Sequence, residues 1–286
     1  MQIISGSTLS KEIKARLLVE ATQLNAQFGR VPKLALVLVG DNPDSFKYVN
    51  SKNKTCNDVG IAGEIYHLHE ETSQQELLSL ILKLNSDTGV DGILVQLPLP
   101  SQLNTEEILN AVDYRKDADG LHPMNAGKLA DGHADILPCT PKGIISLLKY
   151  GNIEIAGKHA VVLGRSNLVG KPTAQLLLQE NATVTICHSK SKNIIEVVKT
   201  ADILVLAMGC PDVVTPDMLK KGVVIVDVAM NWVDNKLGGD IYFESNLSAL
   251  EEKVAAITPV PGGVGPMTIT SLIENTFLIF KNKMAR

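Results

Sequence analysis

Apolar positions along the chain fall into two kinds of run, and the two alternate. Short, unbroken runs rich in Leu, Ile, Val and Ala read as strands over Lys33 to Val39, Gly92 to Leu97 and Ala160 to Leu163, the last two buried, and Glu64 to Leu68 is a further candidate strand. Further strands are expected near 183–187, 203–207 and 223–227, and a last one over Ala255 to Ile257. Between them lie stretches with apolar residues at helical spacing. Leu9 to Phe28 carries Ile13, Leu17, Leu18, Ala21 and Leu24 on one stripe, with Ser10 or Thr8 suited to cap it. Other helices are expected over Ser45 to Val59, Gln74 to Leu84, Thr140 to Tyr150, Ala174 to Leu178 and Met267 to Phe280. Strands alternating with helices predict an α/β fold with parallel sheets. A glycine- and proline-containing connection over 117–138 separates two such runs. The expected organisation is a two-domain subunit. Residues 1–139, completed by a C-terminal helix over 266–286, form a parallel-sheet domain. Residues 140–265 form a Rossmann-type domain, with a cleft between the two.

Composition narrows the function classes. The chain has 286 residues and is 45% hydrophobic but only 4% aromatic, which suits a core of aliphatic side chains. A net charge of -4 gives no basic surface for nucleic acid. No apolar run approaches the roughly 20 residues of a membrane span, and the first residues lack the order of a signal peptide. The four cysteines are scattered without metal-ligand spacing, so a reduced, cytoplasmic setting is expected. The histidines do not cluster at metal-binding spacing, and no metal site is indicated. No phosphate-binding loop with a terminal Gly-Lys-Ser/Thr is present, which argues against phosphoryl transfer.

Candidate chemistry begins at His159 to Leu178, where a buried strand meets Gly164, then Arg165, Ser166 and Gly170, and then an apolar helix. Strand, glycine turn and helix form the layout of a dinucleotide-binding unit, although Ser166 stands where a second glycine is usual. Read alone, it also fits a turn of any doubly wound sheet, the lesser of the two readings. The next strand ends in Cys187, followed by His188, Ser189 and Lys190, with no acid until Glu196. A hydroxyl and a cation there, joined by Arg165, suit a 2′-phosphate, so NADP is expected rather than NAD. In the first domain, Tyr48 and Lys52 lie four apart on one helix face. A lysine on an inner face would be partly desolvated and pushed toward its neutral form, which suits acid–base work; taken singly, it reads as a solvated charge. Gln96 ends an apolar strand and must be hydrogen-bonded, to Lys52, to a substrate carbonyl or to loop backbone. Asp119, before Gly120, suits either paired N–H groups of a heterocycle or a turn.

Several stretches together match one family in order: Tyr48 to Lys52, Gly92 to Pro100, Lys116 to Pro123, Pro138 to Pro141, Gly164 to Ser166 and Thr258 to Thr268. Over essentially its whole length the chain resembles the bifunctional methylenetetrahydrofolate dehydrogenase/methenyltetrahydrofolate cyclohydrolase family. The resemblance implies a homodimer that oxidises 5,10-methylenetetrahydrofolate with NADP and then hydrolyses the methenyl product to 10-formyltetrahydrofolate. It implies catalytic roles for Lys52, Gln96, Asp119 and Tyr48. Lys52 would be the acid–base group of hydrolysis and Gln96 its partner, with Tyr48 stacking on the folate and Asp119 binding the pterin. Val95, Leu97, Pro261, Gly262, Gly263 and Gly265 would complete the substrate site, and Gly164, Arg165, Ser166, Ser189 and Met230 would hold the cofactor. Ala229 stands where the family usually has glycine. Two rival readings are a dehydrogenase that has lost hydrolysis and a silent binder of NADP or folate; intact Lys52, Gln96 and Asp119 speak against both.

Overall fold

The computed structural model describes residues 1–211, 213–233, 236–241 and 247–285. In chain order the elements are β1 (Gln2–Ile3), α1 (Gly6–Phe28), β2 (Lys33–Val39), α2 (Pro43–Asp58), β3 (Ala62–Leu68), α3 (Gln74–Ser86), β4 (Gly92–Val95), α4 (Thr105–Ala111), α5 (Pro123–Ala130) and α6 (Cys139–Tyr150). There follow β5 (His159–Leu163), α7 (Gly170–Gln179), β6 (Thr183–Cys187), α8 (Ile194–Val198), β7 (Ile203–Leu206), a turn of 3₁₀ helix (Pro216–Met218) and β8 (Val223–Asp227). The last are the hairpin β9 (Asn231–Val233) and β10 (Lys236–Gly238), then α9 (Leu247–Lys253), β11 (Val254–Ile257) and α10 (Val264–Met284). No described helix is long and apolar enough to cross a membrane.

The chain divides into two compact units, one of Glu12–Cys139 with Ile269–Arg286, the other of Met1–Lys11 with Thr140–Thr268. The first holds a parallel sheet in the order β3-β2-β4. Strand β2 explains why its sequence reads as an unbroken apolar run. Leu34, Leu36 and Leu38 enter a cluster with Leu17 and Phe277. Ala35, Val37 and Val39 point the other way, into a cluster with Leu77 and Ile81. Both faces are covered, so neither tolerates a polar side chain.

The second unit holds a six-stranded sheet, β1-β11-β8-β7-β5-β6, with every pairing parallel. Counted within the unit from β5, the order is 2-1-3-4-5, a doubly wound arrangement whose direction switches between β5 and β7. Leu163 pairs with both Cys187 and Leu206, and Leu206 with Asp227. Four strands therefore end in register along one edge.

The first eleven residues belong with this second unit, not with residues 12–139 as the sequence suggests. Gln2 and Ile3 pair with Ala256 and Ile257, and Ser7 N–H donates to the Gly262 carbonyl. A two-residue strand leaves no periodicity to read, and that is why it escapes the sequence pattern.

Candidate active site

Helix α2 begins sharply. Asn42 caps it by accepting from the N–H groups of Asp44 and Ser45, and Pro43 fits its first turn. Its buried stripe is Ser45, Val49, Lys52, Thr55 and Cys56. Lys52 therefore lies on the inner face, with only 9% of its surface exposed. Burial pushes its ammonium below the ordinary lysine value, opposed by the neighbouring Asp119 carboxylate and the Cys139 thiol. Lys52 Nζ donates to Gln96 Oε1 at 2.8 Å. Gln96 follows β4 directly, and its own Nε2 donates to the Leu97 carbonyl at 2.6 Å. That second bond fixes which end of the amide faces the lysine. Tyr48, one turn before Lys52, is half-buried, and burial raises its phenol pKa. Val95 is buried, and the Leu97–Pro98 peptide bond is cis.

Asp119 approaches from a loop held by residues the sequence pattern did not mark. Asp117 is buried and accepts from Gly120 N–H, His122 N–H and Asn125 Nδ2, closing the turn around Asp119. Burial raises its carboxyl pKa. The Asp119 carbonyl accepts from Cys139 N–H. Fully buried Asn275 on α10 donates to the carbonyls of Ala118 and Leu137. A lone amide among Leu272, Ile273 and Phe277 was the available signal for Asn275. Tyr48, Lys52, Val95, Gln96, Leu97 and Asp119 thus all lie in the three-stranded unit.

The remaining candidates lie in the six-stranded unit, along the edge where its strands end. Gly164 has φ of 125°, and a Cβ there would lie 2.4 Å from the Ala207 carbonyl oxygen. A Cβ on Gly170 would lie 2.2 Å from the Gly164 oxygen. These two glycines let strand, turn and helix close on one another with no side chain between. Ser166 Oγ accepts from the N–H groups of Val169 and Gly170 where α7 begins. Arg165, Ser189 and Met230 are exposed along the same edge. Ala229 is buried and its backbone lies outside the left-handed region, so its Cβ adds no strain where glycine is usual. The Pro261 to Gly265 segment follows a cis Val260–Pro261 bond. Gly262 has φ of 101°, and a Cβ on Gly263 would meet the Pro259 oxygen at 2.5 Å. Open space surrounds the missing Cβ of Gly265.

A cavity of about 290 Å³ lies elsewhere in the three-stranded unit, with Asp91, Tyr114, Lys116 and Lys128 among its walls. Asp91 precedes β4, so the cavity flanks the amino end of that strand, opposite to Gln96. Its buried carboxylate is already met by Arg30, Lys283 and the Lys33 N–H.

A doubly wound unit with a glycine turn, joined in one chain to a second unit that pairs a buried lysine with a glutamine, defines a two-unit α/β enzyme of the dinucleotide-dependent class. The family models specify it further. The catalytic domain of tetrahydrofolate dehydrogenase/cyclohydrolase matches residues 4–119, and the NAD(P)-binding domain of the same family matches 138–284. The chain belongs to the tetrahydrofolate dehydrogenase/cyclohydrolase family. It is 51% identical to the bifunctional protein FolD of Francisella philomiragia over 97% of both chains. A crystal structure of the bifunctional FolD enzyme from Campylobacter jejuni superposes with a TM-score of 0.95 at 46% identity, covering 99% of both chains. The Trypanosoma brucei enzyme, solved with NADP cofactor and an inhibitor, gives 0.94 at 35% identity, covering 99% of this chain and 98% of that one.

Proposed function

We propose that Lys52, held by Gln96, is the acid–base group of the hydrolytic half of a two-step folate interconversion. The chain oxidises 5,10-methylenetetrahydrofolate to 5,10-methenyltetrahydrofolate with NADP and hydrolyses that product to 10-formyltetrahydrofolate. The observation that carries the assignment is the 2.8 Å bond between a buried lysine and an amide whose orientation is itself fixed. The methenyl substrate is already a cation, so the protein need not polarise it. It must move protons beside a positive charge, where an ammonium is repelled and a neutral amine is not. Water adds to the bridging carbon and Lys52 Nζ takes a proton from it. The bond from that carbon to the ring nitrogen then breaks, and Lys52 returns its proton to the nitrogen. The remaining hydroxyl proton leaves to solvent as the formyl carbonyl forms. Gln96 accepts one N–H and so leaves the nitrogen lone pair turned away from the amide. Asp119 accepts N–H groups of the pterin, and Tyr48 stacks on it, with Val95, Leu97, Pro261, Gly262, Gly263 and Gly265 as further substrate contacts.

NADP, when bound, accepts the hydride in the oxidative half. The close-packed glycines Gly164 and Gly170 fit a phosphate approaching backbone N–H groups at the start of α7. Arg165, Ser166, Ser189 and Met230 are proposed as the remaining contacts, Arg165 and Ser189 toward the 2′-phosphate and Met230 through its backbone. We also propose a cytoplasmic homodimer. All four cysteines are free thiols, as suits a reducing compartment. Strand β6 ends the six-stranded sheet, and Ile186 on it is exposed. Light scattering coupled to gel filtration checks the mass, with a monomer overturning the dimer.

The test of the central assignment is Lys52→Met assayed separately on each half-reaction. Hydrolysis of supplied methenyltetrahydrofolate is expected to fall by about a hundredfold or more, the upper part of the range for a lost acid–base group. Hydrolysis near the unaltered rate would remove Lys52 from this role.

A further inference from the structure

We infer that Asp240 is the positioning residue that fixes the loop after β7 as one wall of the NADP site. Its carboxylate is fully buried and faces three consecutive backbone N–H groups. Oδ2 accepts from Met208 N–H at 2.9 Å and Gly209 N–H at 3.2 Å; Oδ1 accepts from Cys210 N–H at 2.7 Å. Asn231 Nδ2 adds a fourth donor at 3.0 Å. Successive N–H groups converging on one point form an anion-binding concavity. Here the anion is supplied by the chain itself. Among the described residues the groups seen to meet its charge are these four N–H donors.

The loop held in this way sits where the sheet direction switches. Ala207 opens it, and the Ala207 carbonyl occupies the space that a Cβ on Gly164 would need. Asp240 is anchored in turn by Asp227, which ends β8. Asp227 Oδ1 accepts from the N–H groups of Asp240 and Ala229, and Oδ2 accepts from Ile241 N–H. Gly239 permits the approach, since a Cβ there would lie 2.0 Å from Asp227 Oδ2. Two buried carboxylates thus tie together the segments that follow β7 and β8 and the stretch 239–241. Asp240 does not reach the surface, so it acts on cofactor through Met208, Gly209 and Cys210.

This inference rests on the cofactor lying along that edge, and Cys210 reports on both points. Its thiol is exposed while Cys56, Cys139 and Cys187 are buried. In the unaltered full-length protein, NADP is expected to slow reaction of Cys210 with a thiol reagent; no slowing would show that the cofactor does not border this loop, and the proposal would fall with that placement. In Asp240→Asn, an amide NH₂ replaces one acceptor and faces N–H donors. The expected result is a KM for NADP raised on the order of tenfold, with the KM for methylenetetrahydrofolate changed by less than about twofold. Labelling of Cys210 without cofactor is expected to speed up by a similar factor as the loop loosens. Unchanged NADP affinity with unchanged labelling would overturn the proposal, as would both substrates weakening together. If Asp240→Asn does not fold, Asn231→Ala keeps the carboxylate and removes one of its four donors. The same split at smaller amplitude supports the assignment, and an unaltered KM for NADP overturns it.

Discussion

At the scale of single residues, the site turns on how burial treats charge. Lys52 carries its amine into a pocket that disfavours the ammonium, and Gln96 stabilises it without adding charge. Gln96→Glu would place a carboxylate at the same distance and restore the ammonium. Hydrolysis near neutral pH is expected to fall by about tenfold or more, with its pH profile moved upward, because the neutral amine becomes scarcer. An unmoved profile would show that Gln96 does not control the lysine. Linkage gives a second readout. Because the folded pKa is lowered, the folded chain binds fewer protons than the unfolded chain between that lowered value and the ordinary 10.5. Stability therefore rises with pH across this window, and Lys52→Met should remove the rise in denaturant titrations. Asp227 runs the other way. Burial raises its carboxyl from 3.8 to about 6, so its contribution is complete below the lower value and is lost as pH rises through the upper one. Lys52 and Gln96 were legible in the sequence because helix spacing and a strand end fix their directions. Asp117, Cys139, Asn275 and Asp240 were not, since each works through a loop whose path no periodicity encodes.

At the scale of elements, what was legible was periodicity plus punctuation. Helix α3 starts with a capping box in which Ser73 and Glu76 satisfy each other's backbone N–H, and its apolar residues repeat at helical spacing. Strands β2, β5 and β8 are unbroken apolar runs in both sequence and structure. The short helix α5 lies in the stretch read as connection and α4 was not picked out, being only 8 and 7 residues long. Helix α10 starts earlier than its apolar stripe, because Val264 and Gly265 already have helical backbone within the glycine-rich segment. The glycine turn gives the sharpest test at this scale. A methyl group at Gly170 has no room against the Gly164 carbonyl, so Gly170→Ala must part α7 from β5. The expected cost is about 1–3 kcal/mol of stability, with a raised KM for NADP. Thermal melts with and without NADP check it. A variant as stable and as tightly binding as the parent would show that the turn is slack.

Taken whole, the molecule is two cores threaded by one chain that changes unit more than once. Helices α1 and α10 each carry the boundary within them, at residues 11–12 and 268–269. The core of the three-stranded unit joins Leu17, Leu34, Leu36 and Leu94 to Leu272, Ile273, Phe277 and Phe280, across most of the sequence. Arg30 packs over the Phe280 ring at 4.6 Å, and Phe28 meets that ring edge-on. A fragment ending at Cys139 lacks that aliphatic and aromatic face altogether. It is expected to be insoluble or molten when made alone, judged by loss of a cooperative melt. A fragment that folds cooperatively without α10 would mean that the late residues merely cover a finished core.

The interleaving has a consequence for biosynthesis. A ribosome delivers Lys52, Gln96 and Asp119 early, yet the helix whose Asn275 pins the Asp119 loop emerges near the end. The nascent first unit must wait, with Leu17, Leu34 and Leu36 unburied, while the whole second unit is made. That exposed interval is when a growing chain needs a chaperone most. Slow codons placed after residue 139 would lengthen it and lower the yield of soluble protein.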